Sequence, residues 1–191
     1  MHTPTSSNPD LRLALDQFIG RYLEHVDSNT GTLPNIEHDP DWPSVCEHTE
    51  TLSNGYCHWK PIERTHNDDL NRLEKALGVA IHSDLKTFFS SYWSGPLPAT
   101  CDDGDLTLIQ LWNEQDLEQL LENQIGHALS KRQTDDPLTL FFAVTDESEY
   151  FLSVDNADGQ VLLEYPGRPP ERVIAPSLGT FIAELQPRIG P

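Results

Sequence analysis

The 191 residues carry 31 aspartates and glutamates against 12 lysines and arginines, a formal net charge of -19, with 37% hydrophobic residues and 15 prolines. A field of that sign repels phosphate backbones and anionic lipid headgroups and draws cationic surfaces over about 8 Å at physiological salt, which excludes nucleic acid and bare membrane as natural partners. The length suits one domain that buries about 70% of the surface its unfolded chain exposes, and no run of ~18 apolar residues offers a spanning helix, so direct lipid insertion is not expected.

Residues 1–10, MHTPTSSNPD, have neither a cationic start nor an apolar run and read as a flexible arm, with the folded domain at 11–191. Asp10 then caps a helix in which Leu11, Leu15, Phe18, Ile19, Tyr22 and Val26 recur every three or four residues. From Asp27 to Thr65 the text is rich in Pro, Gly, Asn and His, with one strand candidate, GYCHWKP, at Gly55–Pro61. A second helix is predicted from about Asp68 to Leu77, stopping at Gly78. A third begins after Ser83, presents Leu85, Phe88, Phe89 and Tyr92 on one side and ends by Gly95-Pro96.

LTLIQLW, Leu106–Trp112, reads as a strand, and Asn113 as the cap of a helix with Asp116 at its third position. Leu117, Leu120, Leu121, Ile125 and Leu129 form the predicted buried stripe, Glu114, Glu118 and Glu122 lie opposite, and Lys131 and Arg132 suit the dipole of the last turn. LTLFFAVT and YFLSVDN follow as strands, NADGQ (Asn156–Gln160) as a hairpin turn into VLLEY, and Ser177 opens a closing helix. The sum is an α+β single domain, a mostly antiparallel sheet of about four or five strands flanked by helices.

Cys46, Cys57 and Cys101 are odd in number and lack CxxC spacing, which fits a reducing compartment and no disulfide framework. Cys46-x-His48 and Cys57-His58 are too closely spaced for a zinc loop, and DDGD at Asp102–Asp105 runs into an apolar strand rather than an EF-hand, so no metal or cofactor is expected. No G-x-S-x-G elbow or phosphate cradle appears, and an enzyme is not the expected class. Trp93 and Trp112 read as core; Trp42 and Trp59, in polar text, read as exposed contacts.

Like charges at i, i+4 and i+8 cost a few tenths of a kcal/mol per pair, and a solvated face normally mixes signs to avoid this. Yet from Thr87 to Gly167 there are fifteen acids and only two bases, Lys131 and Arg132. That asymmetry singles out Asp105, Glu114, Asp116, Glu122, Asp146 and Glu147, with Trp59, as candidate partner-binding residues.

GDLTLIQLWNEQD (Gly104–Asp116), ENQIGH (Glu122–His127), PLTLFFA (Pro137–Ala143) and SVDNADGQV (Ser153–Val161), with WPSVC (Trp42–Cys46) and HWKP (His58–Pro61) before them, resemble the bacterial Syd proteins of the wider SUKH fold. That family is described as interacting with SecY, the channel subunit of the protein-export translocon. The resemblance implies a non-enzymatic protein at the cytoplasmic face of the inner membrane, held there peripherally by the basic cytosolic loops of SecY, and the acidic composition and absence of a spanning segment add the expectation of a monomer. Two alternatives stay open: a SUKH-type immunity protein that blocks a basic toxin nuclease, and a thiol-dependent hydrolase using Cys46 or Cys101.

Overall fold

The Asp10 side chain accepts the Leu13 amide at 3.2 Å, and the helix it caps, α1 (Leu11–Thr30), runs until Gly31 adopts φ 70 and returns its amide to Asp27. All six apolar residues of the predicted stripe are buried on this helix. The computed structural model describes residues 10–48, 51–65, 70–146 and 149–190. Residues 1–9 of the predicted arm, and the Asp68 start expected for the second helix, therefore lie outside the described residues.

Two short ribbons follow α1. β1 (Asn35–Glu37) pairs antiparallel with β2 (Tyr56–His58), and β3 (Ile62–Glu63) with β4 (Tyr92–Trp93). Between β3 and β4 stand α2 (Leu70–Leu77), ending at the left-handed Gly78, and α3 (Ser83–Ser91). The remaining elements are β5 (Leu97–Cys101), β6 (Gly104–Leu108), α4 (Glu114–Gln133), β7 (Thr139–Thr145), β8 (Phe151–Asp155), β9 (Val161–Glu164), β10 (Arg172–Ala175), α5 (Leu178–Glu184) and β11 (Gln186–Pro187). The seven strands among them build one antiparallel sheet in the order β10-β9-β8-β7-β6-β5-β11.

The fold is α+β, with seven strands in the main sheet where about four or five were expected. LPATC carries no strand signal in the sequence, because a proline argues against a strand. Here Pro98 pairs with Thr107 of β6, and its carbonyl accepts the amide of Arg188, a pairing available only once β11 folds back. The core lies between sheet and helices, where Phe142 of β7 meets Phe88 of α3 and Phe181 of α5 edge to face, each at 5.8 Å.

On α4 the buried stripe begins as predicted at Leu117, Leu120 and Leu121, then turns toward Gln124, Ala128 and Lys131, leaving Leu129 exposed. The turn serves a polar network. Gln124 donates to the Phe141 carbonyl at 2.7 Å. Lys131 lies in the last turn of α4, as expected, and is also buried in an ion pair with Glu164, whose other oxygen accepts the Ser153 hydroxyl at 2.5 Å. Burying a charge requires such partners, because an unpaired charge in this setting is far more costly than a paired one.

Candidate functional site

The proline- and histidine-rich stretch between α1 and β2 carries few apolar residues and is held in place by hydrogen bonds to the start of α4. Trp42 donates its Nε1–H to Asp116 Oδ1 at 2.9 Å, and Trp112 donates its own Nε1–H to the Trp42 carbonyl at 3.0 Å. Asn113 reaches the Pro43 carbonyl at 3.0 Å, and the Ser44 hydroxyl donates to the Trp112 carbonyl at 2.5 Å. Asn113 caps the helix by accepting the Asp116 amide at 3.0 Å, while Asp116 Oδ2 accepts the Trp112 amide at 3.0 Å. Asp116 is thus fixed through both oxygens.

These contacts enclose a hollow of about 280 Å³ lined by Glu37, Asp39, Glu47 and Asp116, with Trp42 and Trp112 among its walls and no lysine, arginine or histidine. Each acid has a local reason for its place. Glu37 ends β1, Asp39 accepts the Asp41 amide at 2.9 Å in a short turn, and Glu47 is oriented by the Ser44 amide at 3.1 Å. Glu37, Asp39 and Asp116 have no ion-pair partner among the described residues, while Glu47 Oε2 lies 3.1 Å from His38 Nδ1; acids placed this close together give the hollow a negative field.

A second hollow of about 430 Å³ shares Ile36 and Pro96 with the first, and its walls, Tyr22, Val26, Trp59, Pro98, Thr107 and Ile189 among them, include no charged residue. Burial pushes the Tyr22 hydroxyl up to about 12, so it stays neutral. Trp59 is the hinge of the arrangement. It stacks on Tyr22 at 6.2 Å and meets Trp112 edge-on at 6.1 Å, joining the wall of the apolar hollow to that of the acidic one. Gly95 lies so close that a Cβ there would stand 2.7 Å from the indole.

Trp59 is therefore not the exposed contact expected from its polar surroundings: it is 2% exposed, and Trp42, at 38%, is the tryptophan that meets solvent. The local text is polar, but β2 delivers Trp59 between α1 and Trp112, where only its tertiary neighbours bury it. Of the predicted acids among the described residues, Asp116 alone lines the acidic hollow. Asp105 and Asp146 share Arg188, with Asp105 Oδ2 3.5 Å from Nε and Asp146 paired to Nη2. Asp146 also accepts the hydroxyl of Thr107, a wall of the apolar hollow. Glu114 and Glu122 are exposed on α4, and among the described residues neither has an ion pair. Glu147 lies outside the described residues.

The glutamate row is not unanswered, however. Glu118 takes both guanidinium nitrogens of Arg72 from α2, one at 2.9 Å, and these hydrogen bonds lower its carboxyl below the ordinary range. Asp103 is likewise paired, with Arg172 at 2.5 Å. Glu37, Asp39 and Glu47 were missed by sequence reasoning because they sit in a stretch with no helical or strand period. The only available signal was their density in a short segment next to WPSVC.

The family model described as Syd protein (SUKH-2) matches residues 12–187. The chain belongs to the Syd family. Relatives named Protein Syd include one from Pseudoalteromonas atlantica, 40% identical over 91% of this chain and 94% of its own length. Another, from Colwellia psychrerythraea, is 37% identical over 95% and 94%, and one from Hahella chejuensis is 38% identical over 93% and 94%. Among the described residues of this Syd chain, no helix is long and apolar enough to cross a membrane.

Two of the three thiols of the Syd chain are shut away from solvent. Cys46 and Cys57 are buried, and desolvation pushes both thiols up, away from the thiolate that attack requires. The nearest approach to a metal-ligand set among the described residues is His38, Glu47 and Cys57, whose ligand atoms lie within 4.8 Å of one another. His38 Nδ1 stands 3.1 Å from Glu47 Oε2, yet their directions do not close a hydrogen bond, and that buried nitrogen has none among the described residues. This trio unites three separate segments and differs from the adjacent pairs Cys46-x-His48 and Cys57-His58 that the sequence displays.

Proposed function

We propose that this protein binds the basic cytosolic loops of the SecY channel subunit and is held by them, peripherally, at the cytoplasmic face of the inner membrane. The observation that carries this reading is the acidic hollow, in which Glu37, Asp39, Glu47 and Asp116 converge with no base among its walls. Cytoplasmic loops of membrane proteins carry an excess of Lys and Arg, so an anionic cavity on a folded domain is a natural receptor for them. Membership of the Syd family supports the same partner. Glu114 and Glu122, exposed on α4, add to the negative field and steer encounter, acting chiefly on the association rate. No chemical step is required of the protein: binding is the activity.

Co-sedimentation with inner-membrane vesicles tests the proposal. The protein is expected to pellet with vesicles containing the translocon, to be released by salt, and to stay in solution with protein-free liposomes of the same lipids. Equal pelleting with the bare liposomes would overturn it.

A further inference from the structure

The acidic hollow leaves affinity unexplained, because exposed ion pairs contribute only about 0–1 kcal/mol each. Binding strength at interfaces comes from apolar anchors seated in desolvated pockets. The molecule has such a pocket beside the acids. The uncharged hollow shares Ile36 and Pro96 with the acidic one, and the Tyr22–Trp59–Trp112 aromatic series backs both.

We infer that the uncharged hollow is an anchor subsite that takes a leucine- or phenylalanine-sized side chain of a cationic peptide whose Lys and Arg residues occupy the acidic hollow. This deepens the binding role proposed above and rests on it. The occupant's chemistry follows from the two linings. Walls of Val26, Pro98, Trp59 and Ile189 accept hydrocarbon, while Glu37, Asp39 and Asp116 next door require positive charge on the same segment. An anionic or purely apolar ligand fits only one half.

The packing of Trp59 gives the subsite a fixed back wall, since Gly95 leaves the indole no room to retreat. The other walls include Thr30, Asn35 and Ile189, which are solvent-exposed and can be changed without disturbing the core. The carbonyl of Thr30's neighbour on the same face, Val26, accepts the Thr30 hydroxyl, so a large residue at 30 projects beside the mouth of the hollow.

Two fluorescent peptides serve as probes, one of lysines and glycines with a single central phenylalanine and one with serine in its place. Titrated at low salt into the full chain, the phenylalanine peptide is expected to bind about tenfold more tightly than the serine peptide. Thr30→Trp, which occludes the hollow, and Ile189→Ser, which removes an apolar wall, should each shrink that ratio toward one while leaving the serine peptide's affinity unchanged. Circular dichroism melting of both variants checks that the fold persists. Equal affinity of the two peptides for the wild type overturns the anchor subsite and leaves the acidic receptor standing. Failure of both peptides to bind overturns the receptor reading and the subsite with it. Self-association of the wild type that Ile189→Ser abolishes would assign the hollow to a second copy and also overturn the inference.

Discussion

Trp42 and Asp116, separated by 74 positions, are joined by an indole N–H to carboxylate hydrogen bond of 2.9 Å. The same carboxylate holds the Trp112 amide at the head of α4. Asp116 therefore has a structural duty as well as a place in the acidic hollow. Asp116→Ala should cost about 1–3 kcal/mol, because it orphans the amide just before the helix and removes the acceptor of the exposed Trp42 indole. Trp42→Phe, which removes only the indole bond, should cost about 1 kcal/mol. Urea denaturation of both variants checks the order; equal stability of Asp116→Ala and wild type would contradict it.

Glu37 and Asp39 line the hollow without an ion pair among the described residues and are exposed. Reversing both to Lys should leave stability within about 0.5 kcal/mol per site. Binding to translocon vesicles, however, should fall at least tenfold, and its salt dependence should flatten, since steering by exposed charge is screened beyond about 8 Å at 0.15 M. Reversal of Glu114 and Glu122 on α4 should slow association and change dissociation little. Stopped-flow rates with the purified channel distinguish the two sets, and an equal effect of both would dissolve the special standing of the hollow.

Lys131 and Glu164 form a buried ion pair with side chains 7% and 1% exposed. Removing one partner strands the other charge, so Lys131→Met should destabilise the fold by about 3–5 kcal/mol. Lys131→Met combined with Glu164→Leu should recover much of that loss, because neither charge then needs solvation in the interior. Thermal melts of the single and double variants decide it; a double variant weaker than the single would refute the explanation.

His127 packs against Phe141 and Phe151, at 5.8 and 5.5 Å between ring centroids, and its ring hydrogen-bonds the Thr139 hydroxyl at 3.0 Å. Burial lowers its pKa below 6.5, with Glu164 opposing the shift. The unfolded chain then binds a proton that the folded chain refuses, so this contribution is present above about pH 6.5 and is lost as pH falls through the folded value. Replacing His127 with Gln should make the melting temperature less sensitive between pH 7 and pH 5. A wild-type melting temperature that rises over this acidification by the His127-dependent part would reverse the sign and exclude the account.

Cys46 and Cys57 are buried with raised thiols, whereas Cys101 at the end of β5 is partly exposed. Alkylation by iodoacetamide at pH 7.5 should therefore label Cys101 first and the other two only on unfolding. Peptide mapping after a timed quench measures the order. Rapid labelling of Cys46 in the folded protein, together with loss of a measurable turnover, would restore the thiol-enzyme reading.

The caps at Asp10, Asn113 and Ser177, and the stripe on α1, are legible because they depend on neighbours three or four positions away. The same locality makes β7, β8 and β9 readable from their apolar runs and the turn between them. Net charge, the excess of acids between Thr87 and Gly167 and the resemblance to the Syd family are also properties of the sequence itself.

Which acids remain available is a different kind of question. Arg72, Arg172 and Arg188 all lie outside the acidic stretch, yet α2, β10 and the chain after β11 bring them onto Glu118, Asp103, Asp105 and Asp146. Glu37, Asp39 and Glu47 come from irregular text and gain their meaning only where Trp42 and Asn113 bind that text to α4. Local spacing sets helix faces and strand alternation, because those follow the geometry of one element. Neutralisation of a charge, burial of Trp59 and the meeting of an acidic hollow with an apolar one depend on approach between elements far apart in the chain, and only the tertiary packing decides them.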